Sequence, residues 1–195
     1  MITRTIPSWH QSLIDAFREP NELARYLQVD PEIFHPRQGL NTDFPMLVPR
    51  GFAERMEKNN PQDPLLLQVI PRSEELDTKS GFSGDPVGDT EAAVAPGVLH
   101  KYQGRVLLIT TGACSIHCRY CFRRHFTYSD SNACSHNWQH ALKYLENNLD
   151  ITEVILSGGD PLMLSDSALN SLLHKLAEIG HIQRLRIHSR MPVTL

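Results

Sequence analysis

Hydrophobic positions change rhythm near residue 97 of this 195-residue chain. Before that point they recur at helical spacing in short segments broken by proline. Trp9, Leu13, Ile14 and Phe17 predict a helix capped by Ser8 and stopped by Pro20. Leu23 and Leu27 predict a second after Asn21, and Asp30-Pro31 restarts the pattern. Further short pieces are expected around Phe52 and Met56 and from Asp63-Pro64. These stripes predict core contacts and carry no chemistry. Residues 71–97 scatter Glu74, Glu75, Asp77, Asp85, Asp89 and Glu91 among Gly, Pro and Ser, which predicts a long connection with a solvated charged face.

After Gly97 strands and helices alternate. Arg105–Thr110 is a continuous apolar run of strand length, as expected for a strand covered on both faces. Trp138, Ala141, Leu142, Leu145 and Leu149 mark one helical face, and Val154-Ile155-Leu156 a second buried strand. Ser165 caps a helix with the stripe Leu169, Leu172, Leu173, Leu176 and Ile179, which Gly180 ends; Arg184–His188 is a third strand. The fold class is therefore α/β with a parallel sheet, either open or closing toward a barrel. The predicted organisation is a helical region over 1–70, a connecting segment over 71–97 and the β/α part over 98–195.

Composition narrows the functional classes. A hydrophobic content of 41% supports a real core, and a formal net charge of −3 supplies no broad basic field for nucleic acid. No apolar stretch approaches the ~20 residues of a membrane span. Met1–Pro7 lacks the apolar core of a secretory signal, so a cytoplasmic protein in a reducing compartment is expected.

Chemistry gathers where the predicted strands end, the position at which α/β proteins collect functional loops. Cys114, Cys118 and Cys121 follow the first strand in a Cys-x3-Cys-x2-Cys arrangement. Three thiolates hold three irons of a four-iron cluster and leave the fourth open to a small molecule. Zinc is the alternative, with His117, His125 or Cys134 as fourth ligand, but no second Cys-x2-Cys or His-x3-His pair follows. Sulfurs crowded into eight positions also fit a disulfide framework poorly. Ser157-Gly158-Gly159-Asp160-Pro161 follows the second strand, where the glycines permit close backbone approach and Asp160 offers an acceptor. His188-Ser189-Arg190 ends the third. Arg123 and Arg124, directly behind the cysteines, are forked donors suited to carboxylates.

The cysteine triplet resembles the signature of the radical S-adenosylmethionine (SAM) enzymes. More narrowly, Pro96–Tyr102, Cys114–Phe126, Leu156–Leu162 and Arg184–Pro192 resemble the lysine 2,3-aminomutases, in particular the branch that makes (R)-β-lysine for modifying elongation factor P. Arg50-Gly51-Phe52 and Asp63-Pro64-Leu65-Leu66 fit more loosely. The resemblance implies a partial (β/α) barrel of radical SAM type, about three units of it in this chain. It implies a [4Fe-4S] cluster on Cys114, Cys118 and Cys121 and SAM held by Tyr120 and by Ser157, Gly158, Gly159 and Asp160. It also implies the phosphate of pyridoxal 5'-phosphate (PLP) near Lys101, Tyr102 and Arg105, with Arg123 on the carboxylate of L-lysine. The family's PLP-anchoring lysine and the acidic residues that hold the substrate's ε-ammonium lie in a part this chain lacks, so it is expected not to complete the reaction alone. The partners implied are lysine, a downstream ligase of the elongation factor P pathway and, through the helical N-terminus, a second copy of the chain. An aminomutase for another amino acid such as glutamate and a non-catalytic zinc-binding module are the alternatives.

Overall fold

The computed structural model describes residues 9–34, 44–77, 80–128 and 138–195. Two units of internal contact emerge, one formed by residues 1–82, 115–124 and 192–195 and the other by 83–114 and 125–191.

The first unit is built from short helices. Helix α1 covers Trp9–Ile14, α2 Pro20–Leu27 and α3 Arg50–Ala53, with single 3-10 turns at Pro31–Phe34, Leu66–Gln68 and Ser73–Leu76. Pro20 opens α2 rather than closing α1, because its missing N–H costs nothing at the first helical position. Phe17, expected on the stripe of α1, lies beyond it and pairs with Val48 through two backbone hydrogen bonds of 2.8 and 2.9 Å. The predicted cap Ser8 lies outside the described residues. Asp63 caps the third segment, its Oδ1 accepting from the amides of Leu65 and Leu66 at 2.9 Å. Leu23, Leu27, Phe34, Phe52 and Leu66 form the core of this unit, joined by Ile116 and, partly buried, Cys118. The cysteine-bearing segment thus packs with helices more than 50 residues upstream in sequence.

The second unit is a five-stranded sheet in sequential order: β1 (Ala93–Ala95), β2 (Val98–Tyr102), β3 (Arg105–Thr111), β4 (Glu153–Gly158) and β5 (Arg184–Ile187). The first two joints are antiparallel; β3, β4 and β5 run parallel. The β2–β3 hairpin turns at Gln103-Gly104, a strand pair that the sequence reading passed over because β2 is half polar. Helices α4 (Gln139–Asn147) and α5 (Asp166–Ala177) supply the parallel connections. Even-numbered β3 residues Val106 and Leu108 pack with Ala141, Leu145, Leu172 and Leu176 of these helices. Odd-numbered Ile109 faces the other way, with Leu99, Ala92, Phe126 and Tyr128, as the two-residue period of a strand requires. Ser165 caps α5, its Oγ accepting from Ala168 N at 3.3 Å. Leu149, expected on the apolar face of α4, is instead 71% exposed, because the helix ends at Asn147. A one-turn helix, α6 (Met191–Thr194), ends the chain.

Candidate cofactor site

In the sheet unit the loops leaving β3 and β4 form a continuous backbone contact beyond the strand ends. Gly159 N donates to Thr111 O at 2.7 Å, and Asp160 N donates to Ala113 O at 2.7 Å. Thr110 Oγ1 donates to Ser157 O at 2.9 Å. The glycines are required by this approach: Gly158 holds a φ of 122°, and a Cβ there would stand 2.5 Å from Thr111 O. A Cβ on Gly159 would collide with the Ala113 carbonyl. The Ser-Gly-Gly-Asp loop is therefore fitted to the three residues that lead into Cys114.

Asp160 is buried, and its carboxylate binds the loop after β5. Oδ1 accepts from Leu162 N at 3.0 Å, Oδ2 from Arg190 N at 2.8 Å and Met191 N at 3.0 Å. Ser189 Oγ lies 2.7 and 2.9 Å from the two oxygens. This residue ties the exits of β4 and β5 together and opens α6, a role that no local sequence signal announces across about 30 positions.

In the helical unit, Cys118 and Cys121 bound a turn closed by Cys121 N donating to Cys118 O at 3.0 Å. A second turn follows, with Arg124 N donating to Cys121 O at 3.2 Å. The turn is fastened through Arg119, which is almost fully buried. Its Nε donates to Glu75 Oε1 at 2.8 Å, its Nη2 to Glu75 Oε2, and its Nη1 to Phe44 O at 2.8 Å. Its backbone amide donates to Gln68 O at 2.8 Å. Arg124 Nη2 meets the same Glu75 oxygen at 2.9 Å, and both guanidinium groups lie over the Phe44 ring, at 5.0 and 5.2 Å. Burial pushes the Glu75 carboxyl up, but the hydrogen bonds and charges of Arg119 and Arg124 outweigh it and hold its pKa below the usual carboxylate value. Two cations thus share one carboxylate in this turn.

His117 is fixed as a structural residue of this segment. Its Nδ1 donates to Pro45 O at 2.9 Å and its amide to Leu47 O at 3.0 Å, while burial lowers its pKa. Tyr120 is exposed, its hydroxyl 3.4 Å from Gln68 Oε1. Arg123 is half-buried with its guanidinium 4.7 Å from the Phe122 ring centre. Ser115, next to the first cysteine, is buried and shares a 2.7 Å hydroxyl contact with Thr194. Cys114, Cys118 and Cys121 are partly exposed and carry no disulfide. Among the described residues no three His, Cys, Asp or Glu side chains gather as a metal-binding group, so the assignment of a cluster to these cysteines rests on their spacing in the sequence. Cys134 lies outside the described residues.

The expected phosphate-binding residues sit elsewhere. Lys101, Tyr102 and Arg105 surround the β2–β3 hairpin, at the amino end of β3, whereas Cys114 follows its carboxyl end. Seven strand residues place these ends about 20 Å apart. Lys101 Nζ pairs with the buried Asp89 at 2.5 Å and donates to Val87 O. Arg105 lies 6.0 Å from the Tyr102 ring centre and extends its charge toward Glu153. Sequence reasoning missed Glu75, Arg119 and Tyr128; Ser189 stands in the His188-Ser189-Arg190 exit that it singled out, though without its partner Asp160. Glu75 was assigned to a solvated face because its partners lie 44 and 49 positions away.

A Cys-x3-Cys-x2-Cys triplet after a parallel strand, with loops gathered at the strand exits, is the donor pattern of α/β proteins that carry an iron–sulfur cluster. Residues 102–187 match a family described as "4Fe-4S single cluster domain". Over its whole length the chain is 45% identical to the L-lysine 2,3-aminomutase of Escherichia coli, of which it spans 58%. It is 41% identical over its whole length to that of Haemophilus influenzae, spanning 57%, and 32% identical over 96% of its length to that of Clostridium subterminale, spanning 45%. The chain is a homologue of the L-lysine 2,3-aminomutases, and it spans about half the length of the curated relatives it matches.

Proposed function

We propose that the full-length protein is a radical SAM, PLP-dependent L-lysine 2,3-aminomutase that supplies (R)-β-lysine for the modification of elongation factor P. The observation that carries this reading is the 45% identity over an alignment that covers the whole chain. Cys114, Cys118 and Cys121 hold the cluster. When bound, the cluster and SAM supply one-electron chemistry, and PLP supplies the aldehyde that carries the migrating amino group.

The residues of this chain bind and orient. Ser157–Asp160 receive SAM through the backbone: both carboxylate oxygens of Asp160 are engaged by Leu162 N and the β5 exit loop, and the SAM ammonium meets Gly159 O and the second lone pair of Gly158 O, whose first accepts from Tyr128. Asp160 shapes that loop rather than touching the ligand. Tyr120, exposed between two cysteines, lies along the adenine. Arg123 takes the substrate carboxylate, and Arg124 is held by Glu75. The resemblance alone would put the PLP phosphate at Lys101, Tyr102 and Arg105; they lie at the opposite end of β3 from Cys114, with Lys101 held by Asp89, so the geometry of this chain lends that assignment no support. The parallel strands β3–β5 continue into a partial (β/α) barrel, and the helical N-terminal part mediates self-association. A cytoplasmic location suits reduced thiols, and no described helix is long and apolar enough to cross a membrane.

Anaerobic reconstitution of the full-length protein tests this reading. About four irons per chain and conversion of lysine to (R)-β-lysine with SAM, PLP and a reductant are expected. A colourless protein holding one zinc, or one that converts glutamate and leaves lysine unchanged, overturns it.

A further inference from the structure

The chain that leaves the cysteine segment folds back over the strand exits. Tyr128 is the residue that makes this contact. Its hydroxyl donates to Gly158 O at 3.0 Å, and a Cβ placed on Gly112 would stand 2.9 Å from the Tyr128 Cβ. Phe126 meets its ring edge-on with centroids 5.1 Å apart, and both rings pack with Ala92, Leu99 and Ile109. The phenol is thus held by packing before any ligand arrives, so little rotamer entropy remains to oppose its hydrogen bond.

The carbonyl it holds belongs to an unusual peptide. Gly158 C=O and Gly159 N–H are the two ends of one peptide unit, and the N–H is taken by Thr111 O at 2.7 Å. Neither flanking residue has a Cβ to oppose rotation of that plane, so its orientation depends on those two hydrogen bonds. We propose that Tyr128 is a positioning residue for SAM, its hydroxyl locking the Gly158–Gly159 peptide so that the loop presents one fixed set of carbonyls to the ligand. This rests on the assignment of Ser157–Asp160 as the SAM loop. Nothing in the cysteine spacing or in the Gly-Gly motif points to a tyrosine 30 positions away.

The test uses the full-length reconstituted protein and its Tyr128→Phe variant. Loss of one neutral hydrogen bond is expected to weaken SAM binding about three- to tenfold and to speed hydrogen exchange at the Gly159 amide by a similar factor, with iron content unchanged. 4-Aminophenylalanine at position 128, which restores a donor, returns both values toward the parent; 4-methylphenylalanine, of similar volume without a donor, does not. That pair answers the question even if Tyr128→Phe fails to fold. Unchanged Gly159 exchange on removal of the donor overturns the lock. Gly159→Ala separates the two assignments. If it weakens SAM binding while the donorless variants leave the affinity intact, the role of Tyr128 alone fails; if neither change alters SAM affinity, the loop is not the SAM site and both assignments fall.

Discussion

The two loops that carry the candidate chemistry are held by opposite means. The Cys118–Cys121 turn is fastened by charge: one carboxylate, Glu75, grips Arg119 in a fork and reaches Arg124 as well. The Ser157–Asp160 loop is fastened by shape, with backbone amides of Gly159 and Asp160 laid on Thr111 and Ala113 and no room for a Cβ between them. On the proposed assignment, charge holds the loop that takes a charged cluster, and shape holds the loop whose backbone carbonyls would meet SAM. The first fastening is sensitive to pH and the second to volume.

Glu75→Ala breaks this contrast most severely. It leaves the buried Arg119 guanidinium without its carboxylate, and a loss of about 4 kcal/mol is expected in denaturant unfolding of the full-length protein, with depleted iron. The same pair predicts a pH signature. Because the folded Glu75 pKa lies below its unfolded value, its contribution is complete above the ordinary carboxylate pKa and disappears as pH falls through the lowered one. Unfolding midpoints measured from pH 7 down to 3 should fall more steeply for the parent than for Glu75→Gln.

Gly159→Ala attacks the other fastening. The new methyl meets backbone rather than a flexible side-chain end, so about 2–3 kcal/mol of overpacking is expected, with the same pH slope as the parent. Ser189→Ala is the mildest change. It removes one hydroxyl from Asp160 while Arg190 N and Met191 N remain, which predicts about 1 kcal/mol and an unaltered iron content. A larger loss there would show that the β5 exit loop depends on the serine as much as on the backbone amides.

Legibility followed sequence distance. The run Val106–Ile109 and the stripe Leu172–Leu176 announced β3 and α5 because strand and helix periods are local. The edges were harder to read. Proline marks a boundary without saying which side is helix, as Pro20 shows, and β2 alternates too weakly to stand out. Asp160 was legible as an acceptor beside two glycines, but Ser189, Arg190 and Met191, which fill it alongside Leu162 N, were not, since they come from 29 to 31 residues onward.

The amino-acid sequence alone determined the donor set, three thiols at fixed spacing after an apolar strand, because ligand identity and strand period are written within a few consecutive residues. Only the tertiary structure decided what steadies the flanking loops. Glu75 on Arg119, Tyr128 on Gly158 and Asp160 on Ser189 span 44, 30 and 29 positions. Contacts of that range cost chain entropy to close and leave no periodic trace in the sequence; folding alone selects them.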